Sequence, residues 1–307
     1  MGLNNIPVLY IAFARPEYAS KSFNAIRFAK PKKLYFYSNK GRKDHDDELQ
    51  RNNQVRLMLK NVDWDCDLKT WFREEPVDVY TSLWGAINWL FENEEKGIII
   101  EEDCVISPAF LDFTEKMLLK YEKDQRIWMI GGSNYIEGYN PHNHDYHFSH
   151  NMFIHGWASW RNRWESVDWN NPPLQKMIEE NVFDAIFNSK LQRIFHKKRF
   201  ESYIPFVTRT KCWDIIFCAT GRSNNALAVL PERNLVNNIG TEGVHTHSTK
   251  KNIAFNGLLY NNEEYDINNE PPFVIADVLY DERVFRVLHY DRLSLKQKIL
   301  LFTRWLN

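Results

Sequence analysis

The stretch SLWGAINWLFENEEKGIIIEEDCVISPAFLDF, residues 82–113, decides the fold. Leu83, Ile87, Leu90 and Phe91 recur at helical spacing, and Gly97 stands where such a helix ends. Ile98, Ile99 and Ile100 then form a short apolar run of the kind that sheets bury on both faces. That run passes straight into Glu101, Glu102 and Asp103. Ser107-Pro108 reads as an N-cap followed by proline at the first helical position, which predicts a helix over residues 109–121.

Upstream the same alternation recurs. Residues 7–13 (PVLYIAF) predict a strand, residues 17–29 a helix, and residues 33–38 (KLYFYS) a second strand closed by Asn39-Lys40-Gly41. A polar helical stretch runs to about residue 59, and residues 64–76 read as irregular and charged. Downstream, residues 127–130 predict another strand opening into Gly131-Gly132-Ser133-Asn134. Strands alternating with helices imply an α/β fold with a mostly parallel sheet, whose ligands sit beyond the carboxyl ends of the strands. After about residue 139 the texture turns to loops and Trp-rich patches. The expected division is a nucleotide-sugar-binding half at 1–140, an acceptor and catalytic half at 141–260, and a C-terminal extension at 261–307.

Composition narrows the partners. With 39 basic and 40 acidic residues among 307, and no long Lys/Arg block, the chain is not expected to bind nucleic acid. Eleven Trp, 14 Tyr and 20 Phe suit core packing first, and flat sugar or base faces second. Four cysteines without C-x-x-C spacing suggest reduced thiols. No signal-peptide layout and no apolar run near 18 residues is found, so a cytoplasmic protein is expected. Residues 293–307 place Leu295, Ile299, Phe302 and Leu306 on one face with Lys296, Lys298 and Arg304 beside it. This amphipathic helix fits docking on its own domain, and equally peripheral contact with the inner face of a membrane.

Three acids at a strand end repel one another unless a cation or hydrogen-bond donors compensate them. Hard divalent ions, Mg²⁺ or Mn²⁺, favour one or two carboxylates plus substrate phosphates. A solvated acidic loop would carry the same letters. Neither G-x-G-x-x-G nor G-x-x-x-x-G-K-[ST] is present, so a metal-carboxylate route is the natural way for this chain to hold a nucleotide.

Residues 82–113 also resemble the GT-A glycosyltransferases, in particular the bacterial HlpA-like sugar transferases and, more distantly, N-acetylglucosaminyltransferase I. The likeness extends through IAFARPEY, HGWASWRNRW at 155–164, Trp213-Asp214 and NNIGTEGVHTH at 237–247. It implies a GT-A, Rossmann-like fold with a less regular acceptor-side half. By position it implies Asp103 as the metal ligand of a D-x-D-type motif, with Glu101 and Glu102 contacting the ribose or metal-bound water. The first two acids depart from strict D-x-D. The resemblance also implies that Arg15 lies on the nucleotide side, that Ser38 and Asn39 lie where the base is read, and that His247 or His245 completes the metal site.

Asp214, at the start of an apolar segment, is the expected general base for an inverting transfer; an N-cap reading of the same residue stays open. Trp157, Trp160 and Trp164 recur at spacings of 3 and 4, which predicts one helical face. Gly156 would allow close approach of a donor sugar, so Gly156 and Trp157 are expected donor contacts. The histidines at 142, 144, 147, 150 and 155 lack fixed ligand spacing and predict a mobile acceptor loop.

The expectation is a metal-dependent glycosyltransferase that uses a nucleotide-sugar donor, a UDP-sugar by preference. Its acceptor would be a glycan or lipid-linked glycan in cell-surface polysaccharide synthesis. A sugar nucleotidyltransferase and a non-catalytic carbohydrate-binding protein are the alternatives.

Overall fold

The computed structural model describes residues 5–240 except 46, 137 and 211, together with 259–260, 262 and 264–299. Its first half builds β1 (Val8–Ala12), α1 (Pro16–Ala29), β2 (Lys33–Ser38), α2 (Glu48–Leu57), β3 (Asp67–Phe72) and α3 (Val79–Asn93). Then follow β4 (Lys96–Glu101), β5 (Cys104–Ile106), α4 (Phe110–Lys120) and β6 (Ile127–Gly131). The second half adds β7 (Tyr146–Ser149), β8 (Trp157–Trp160), α5 (Arg161–Glu165), α6 (Leu174–Glu179) and α7 (Phe183–Ile186). It continues with α8 (Lys190–Val207), α9 (Trp213–Ser223), β9 (Leu227–Pro231), β10 (Val236–Asn238) and α10 (Val278–Phe285).

Eight strands form one sheet in the order β3-β2-β1-β4-β8-β6-β9-β7. β3, β2, β1 and β4 pair in parallel, as do β6 and β9; β8 and β7 run against their neighbours. The result is a mixed α/β, Rossmann-like architecture. Alternation along the strands divides the core between the two faces, broken in β6 by a bulge that puts Trp128 and Met129 on the same side. Leu9, Tyr35, Ile99, Trp157 and Leu230 pack on one face, and Val8, Phe36, Ile100, Ala158 and Val229 on the other.

The region after residue 139 is more regular than its sequence suggests, because three of its strands complete the sheet begun in the first half. The Trp spacing misleads as well. Residues 157–160 are a strand, so Trp157 and Trp160 point to opposite cores and only Trp164 sits on a helix. β3 is likewise a strand rather than an irregular segment. It is a half-exposed edge whose polar Asp67, Lys69 and Thr70 hide the apolar pattern. Ser107 does not cap α4, which begins three residues later with Ala109 at its cap.

The C-terminal extension returns to the sheet. Asp277 donates its N–H to the Phe148 carbonyl at 2.7 Å, and the buried Tyr280 ring stacks on His147. Further on, Ser294 and Gln297 bond reciprocally and start a helical turn on which Leu295 and Ile299 are exposed. Phe302 and Leu306 of the expected face lie outside the described residues. Among the described residues no helix is long and apolar enough to cross a membrane.

Candidate active site

The connections β1–β2–β3 run outward on one side of β1, whereas β4 lies on its other side. Strand order therefore switches between β1 and β4, and the crevice beyond their carboxyl ends is where open α/β sheets bind ligands. β4 loses its other neighbour there too, since its pairing with β8 ends at Ile99 and Trp157. Into this opening the chain delivers Phe13 to Arg15 from β1 and Glu101 to Asp103 from β4.

Pro16 disfavours helical backbone at Arg15, which stays extended (φ −121°, ψ 73°) just ahead of α1. From there Arg15 donates through Nε to Glu102 Oε1 at 2.6 Å and through Nη2 to Asp103 Oδ2 at 3.0 Å. The Phe13 N–H donates to the other Glu102 oxygen at 2.7 Å. Ser22 of α1 donates to the Glu102 carbonyl at 2.8 Å, so α1 clamps the turn from below. Both Glu102 oxygens are thus occupied and the residue is buried, whereas Asp103 and Glu101 keep part of their surface open. Burial pushes the Glu101 carboxyl up to about 8, Asp103 adding to the shift, Arg15 opposing it, and Asp214 and Glu102 adding further. Burial also raises Glu102 against the pull of Arg15.

Asp214 of α9 lies within electrostatic reach of the same acids. Cys212 holds the cap position of that helix and Asp214 follows in its first turn, accepting from Cys212 Sγ at 3.1 Å, so it is not the N-cap. Its charge reaches both Glu101 and His155. His155, directly before Gly156 in HGWASW, joins this group, which its place among the loop histidines does not signal. Its ring pairs with the Tyr135 hydroxyl, and burial holds it neutral despite Asp103 and Asp214 nearby.

The other expected donor contacts are placed differently. Ser38 and Asn39 end β2 beside the crevice, but both are buried. Asn39 bonds the Val77 carbonyl and N–H, and Asn52 bonds both Ser38 Oγ and the Asn39 carbonyl. Gly156 has a left-handed backbone (φ +64°), and a β-carbon there would meet Val236 Cγ2 at 2.7 Å. The close approach that Gly156 permits is therefore to β10. Trp157 is fully buried and stacks on Trp213, with ring centroids 5.3 Å apart.

β10 pairs with β5 and carries the chain back over the acids: the Ile239 N–H donates to the Asp103 carbonyl at 2.8 Å. Gly240 lies so close that a β-carbon would fall 2.3 Å from Asp103 Oδ2. His245 and His247 lie outside the described residues. Of the remaining histidines, His147 and His150 are held by Asp277 and Asp281 at 3.3 and 3.1 Å, which is a fixed structural role rather than a mobile loop. All four cysteines are free thiols.

Asp214 also lines a cavity of about 290 Å³ between α8, α9, residues 151–154 and residues 288–289. His196 and His289 line it with Arg199 and Arg222. Burial, then Arg222, His289 and Arg199, depress His196; burial, then Arg199, Arg222 and Arg292, push His289 down to about 3. The unfolded imidazoles titrate near 6.5, so below that pH unfolding takes up protons that the fold refuses. Stability from these two groups is complete above pH 6.5 and is lost as pH falls below it, for His289 down to about 3. The slope is about 1.4 kcal/mol per pH unit for each fully titrating histidine. The raised Glu101 carboxyl acts in the opposite sense over the same range, so the histidine share is read as a difference: in denaturant melts between pH 7.5 and 5.5 the wild type should lose more stability on acidification than His289→Gln.

No protein-family model matches the chain, and no curated protein matches it. Solved structures that overlap it include HddC from Yersinia pseudotuberculosis, at 8% identity and TM-score 0.29 over 53% of this chain and 80% of that one. A putative glucose-1-phosphate thymidylyltransferase from Bacillus anthracis overlaps at 6% identity and TM-score 0.31, over 55% of this chain and 76% of its own. A UDP-glucose pyrophosphorylase in its apo form overlaps at 7% and TM-score 0.36, over 76% and 93%. Likeness this slight does not fix an activity. The resemblance to HlpA-like transferases and N-acetylglucosaminyltransferase I gains no support from these matches.

Proposed function

We propose that this chain is a metal-dependent glycosyltransferase that moves a sugar from a nucleotide diphosphate, best read as a UDP-sugar, to a glycan or lipid-linked glycan acceptor of the cell surface. One observation carries the reading. The strand-order switch point holds Glu101, Glu102, Asp103 and Arg15, and Asp214 lies within electrostatic reach of Glu101.

Among the described residues no three His, Cys, Asp or Glu gather into a metal cage. The partly open carboxylate of Asp103 nevertheless suits a hard cation that takes its remaining ligands from phosphates and water. Asp103 would hold it, with His247 and, second to it, His245 as further candidates. Bound there, such an ion would supply positive charge to the diphosphate leaving group. Arg15, already beside the acids, supplies a second positive group for phosphate oxygens. Glu101 near neutral pH keeps its proton and offers a donor to ribose or phosphate. Asp214 is the base for the acceptor hydroxyl.

The second reading is a sugar nucleotidyltransferase, the activity named for the overlapping thymidylyltransferase and pyrophosphorylase. Against it stands the loop after β1, where Phe13-Ala14-Arg15-Pro16 replaces a glycine-rich phosphate cradle.

Calorimetry with UDP, with and without Mn²⁺, tests the proposal. Since the protein alone offers too few ligands, Mn²⁺ is expected to bind weakly by itself and UDP to bind tightly only in its presence. UDP binding indifferent to EDTA overturns the metal role. Pyrophosphate release from UTP and a sugar 1-phosphate, without hydrolysis of any UDP-sugar, selects the second reading. Glycan binding with no nucleotide binding selects a carbohydrate-binding protein.

A further inference from the structure

The cavity beside Asp214 has an electrostatic polarity that the transfer reaction does not require. α9 lines it with Asp214, Ile215, Cys218 and Arg222, a single stripe at helical spacing. Eight residues separate Asp214 from Arg222, about 12 Å along the axis. α8 contributes a matching stripe of His196, Arg199, Phe200 and Tyr203. The carboxylate thus stands at one end and two guanidinium groups stand toward the other.

These guanidinium groups have no carboxylate of their own. Among the described residues neither Arg199 nor Arg222 has an acid partner within 4.0 Å. Arg222 donates through Nε to the His150 carbonyl at 3.0 Å. Arg199 bonds the Tyr203 hydroxyl at 2.5 Å and His289 Nε2 at 3.1 Å. The nearby Asp281 is satisfied by neutral donors: Ser149 Oγ, the His150 N–H and Asn151 Nδ2, with His150 Nδ1 also 3.1 Å away. Buried His196, which lines the same cavity, has no hydrogen-bond partner for Nδ1 among the described residues. In the buried His196 an unpartnered imidazole nitrogen costs stability unless a ligand supplies its missing partner; the guanidinium groups of half-buried Arg222 and exposed Arg199 remain reachable from solvent. The guanidinium fork suits carboxylate or phosphate oxygens, which it can grip in pairs. A volume of about 290 Å³ lies at the small end of ligand pockets and fits one sugar unit.

We propose that this cavity is the acceptor subsite and that it selects an acidic sugar, one bearing a carboxylate or a phosphate group. The acid group lies at Arg199 and Arg222, and the hydroxyl to be glycosylated lies at Asp214. This rests on the transferase reading for the role of Asp214, whereas recognition of the acid group stands on the two arginines alone.

Tryptophan-fluorescence titrations of the full chain with glucose 6-phosphate, glucuronate and glucose, each with and without UDP and Mn²⁺, test it. The acidic probes are expected to bind at least about tenfold more tightly than glucose. Binding of only the phosphate, or only the carboxylate, supports the site and identifies the acid group. Arg199→Gln should weaken the acidic probes about tenfold while leaving glucose and UDP unchanged. Arg199 is exposed, so the variant should fold, and its melting temperature checks this. Arg222→Lys, which keeps the charge and loses the fork, should also weaken them. Equal binding of all three sugars overturns the proposal, as does undiminished acidic binding in Arg199→Gln. UDP binding without any acid preference sinks this subsite alone; acid-probe binding without UDP binding sinks the transferase reading and leaves the subsite.

Discussion

Asp103→Asn is expected to abolish Mn²⁺-dependent UDP binding and to lower donor turnover by about 10³-fold or more, the worth of several kcal/mol of charge stabilisation. The three acids are not equivalent. Glu102 already has both oxygens bonded, to Arg15 and the Phe13 N–H, and it is buried. Glu101, pushed up to about 8, is mostly protonated at pH 7. Asp103 is the carboxylate left partly open, with one oxygen on the outer nitrogen of Arg15. Asparagine is isosteric and can still accept from Arg15, so the melting temperature should fall only slightly. Glu101→Gln should cost much less activity, because the glutamine keeps a hydrogen-bond donor where the protonated acid had one. Full turnover in Asp103→Asn, measured as UDP release with Mn²⁺ present, would remove the cation from the mechanism.

The sequence made the parallel half of the sheet legible because β1, β2, β4 and β6 are buried on both faces and read as continuous apolar runs. β3 and β7 sit at the edges, where polar residues are tolerated, and β8 carries tryptophans whose spacing imitates a helix. The acids of the crevice were legible for a local reason, since three of them follow an apolar strand. Their division of labour was not, because it depends on Arg15, 87 residues before Glu102, and on which oxygens that guanidinium covers. The cavity is harder still. Its charged groups come from residues 196–199, 214–222 and 289, and the two helical stripes, His196–Arg199–Phe200–Tyr203 and Asp214–Cys218–Arg222, leave a trace in local spacing but no sign that they face one cavity. His155 had a local signal, a histidine beside the glycine that turns into β8. Its meaning depends on Tyr135, Asp103 and Asp214 arriving from three other elements.

Trp157→Ala is expected to destabilise the fold by about 3–5 kcal/mol, the range for removing a large buried aromatic. Trp157 is wholly buried in β8, stacked nearly parallel to Trp213 at 5.3 Å and packed on Phe217 at 5.2 Å. The strand fixes its backbone on both sides, through β4 and β6, so the sheet cannot close over the void. Trp213 immediately precedes Asp214, and loss of its stacking partner loosens the first turn of α9, on which Asp214 stands. Turnover should therefore fall together with the melting temperature, whereas Trp157→Phe, which keeps a ring in the stack, should recover most of both. A donor-contact role predicts the opposite pattern, weakened UDP-sugar affinity with an unchanged denaturation midpoint. Urea unfolding alongside donor titration decides between them, and an unshifted midpoint in Trp157→Ala would return the residue to the donor site.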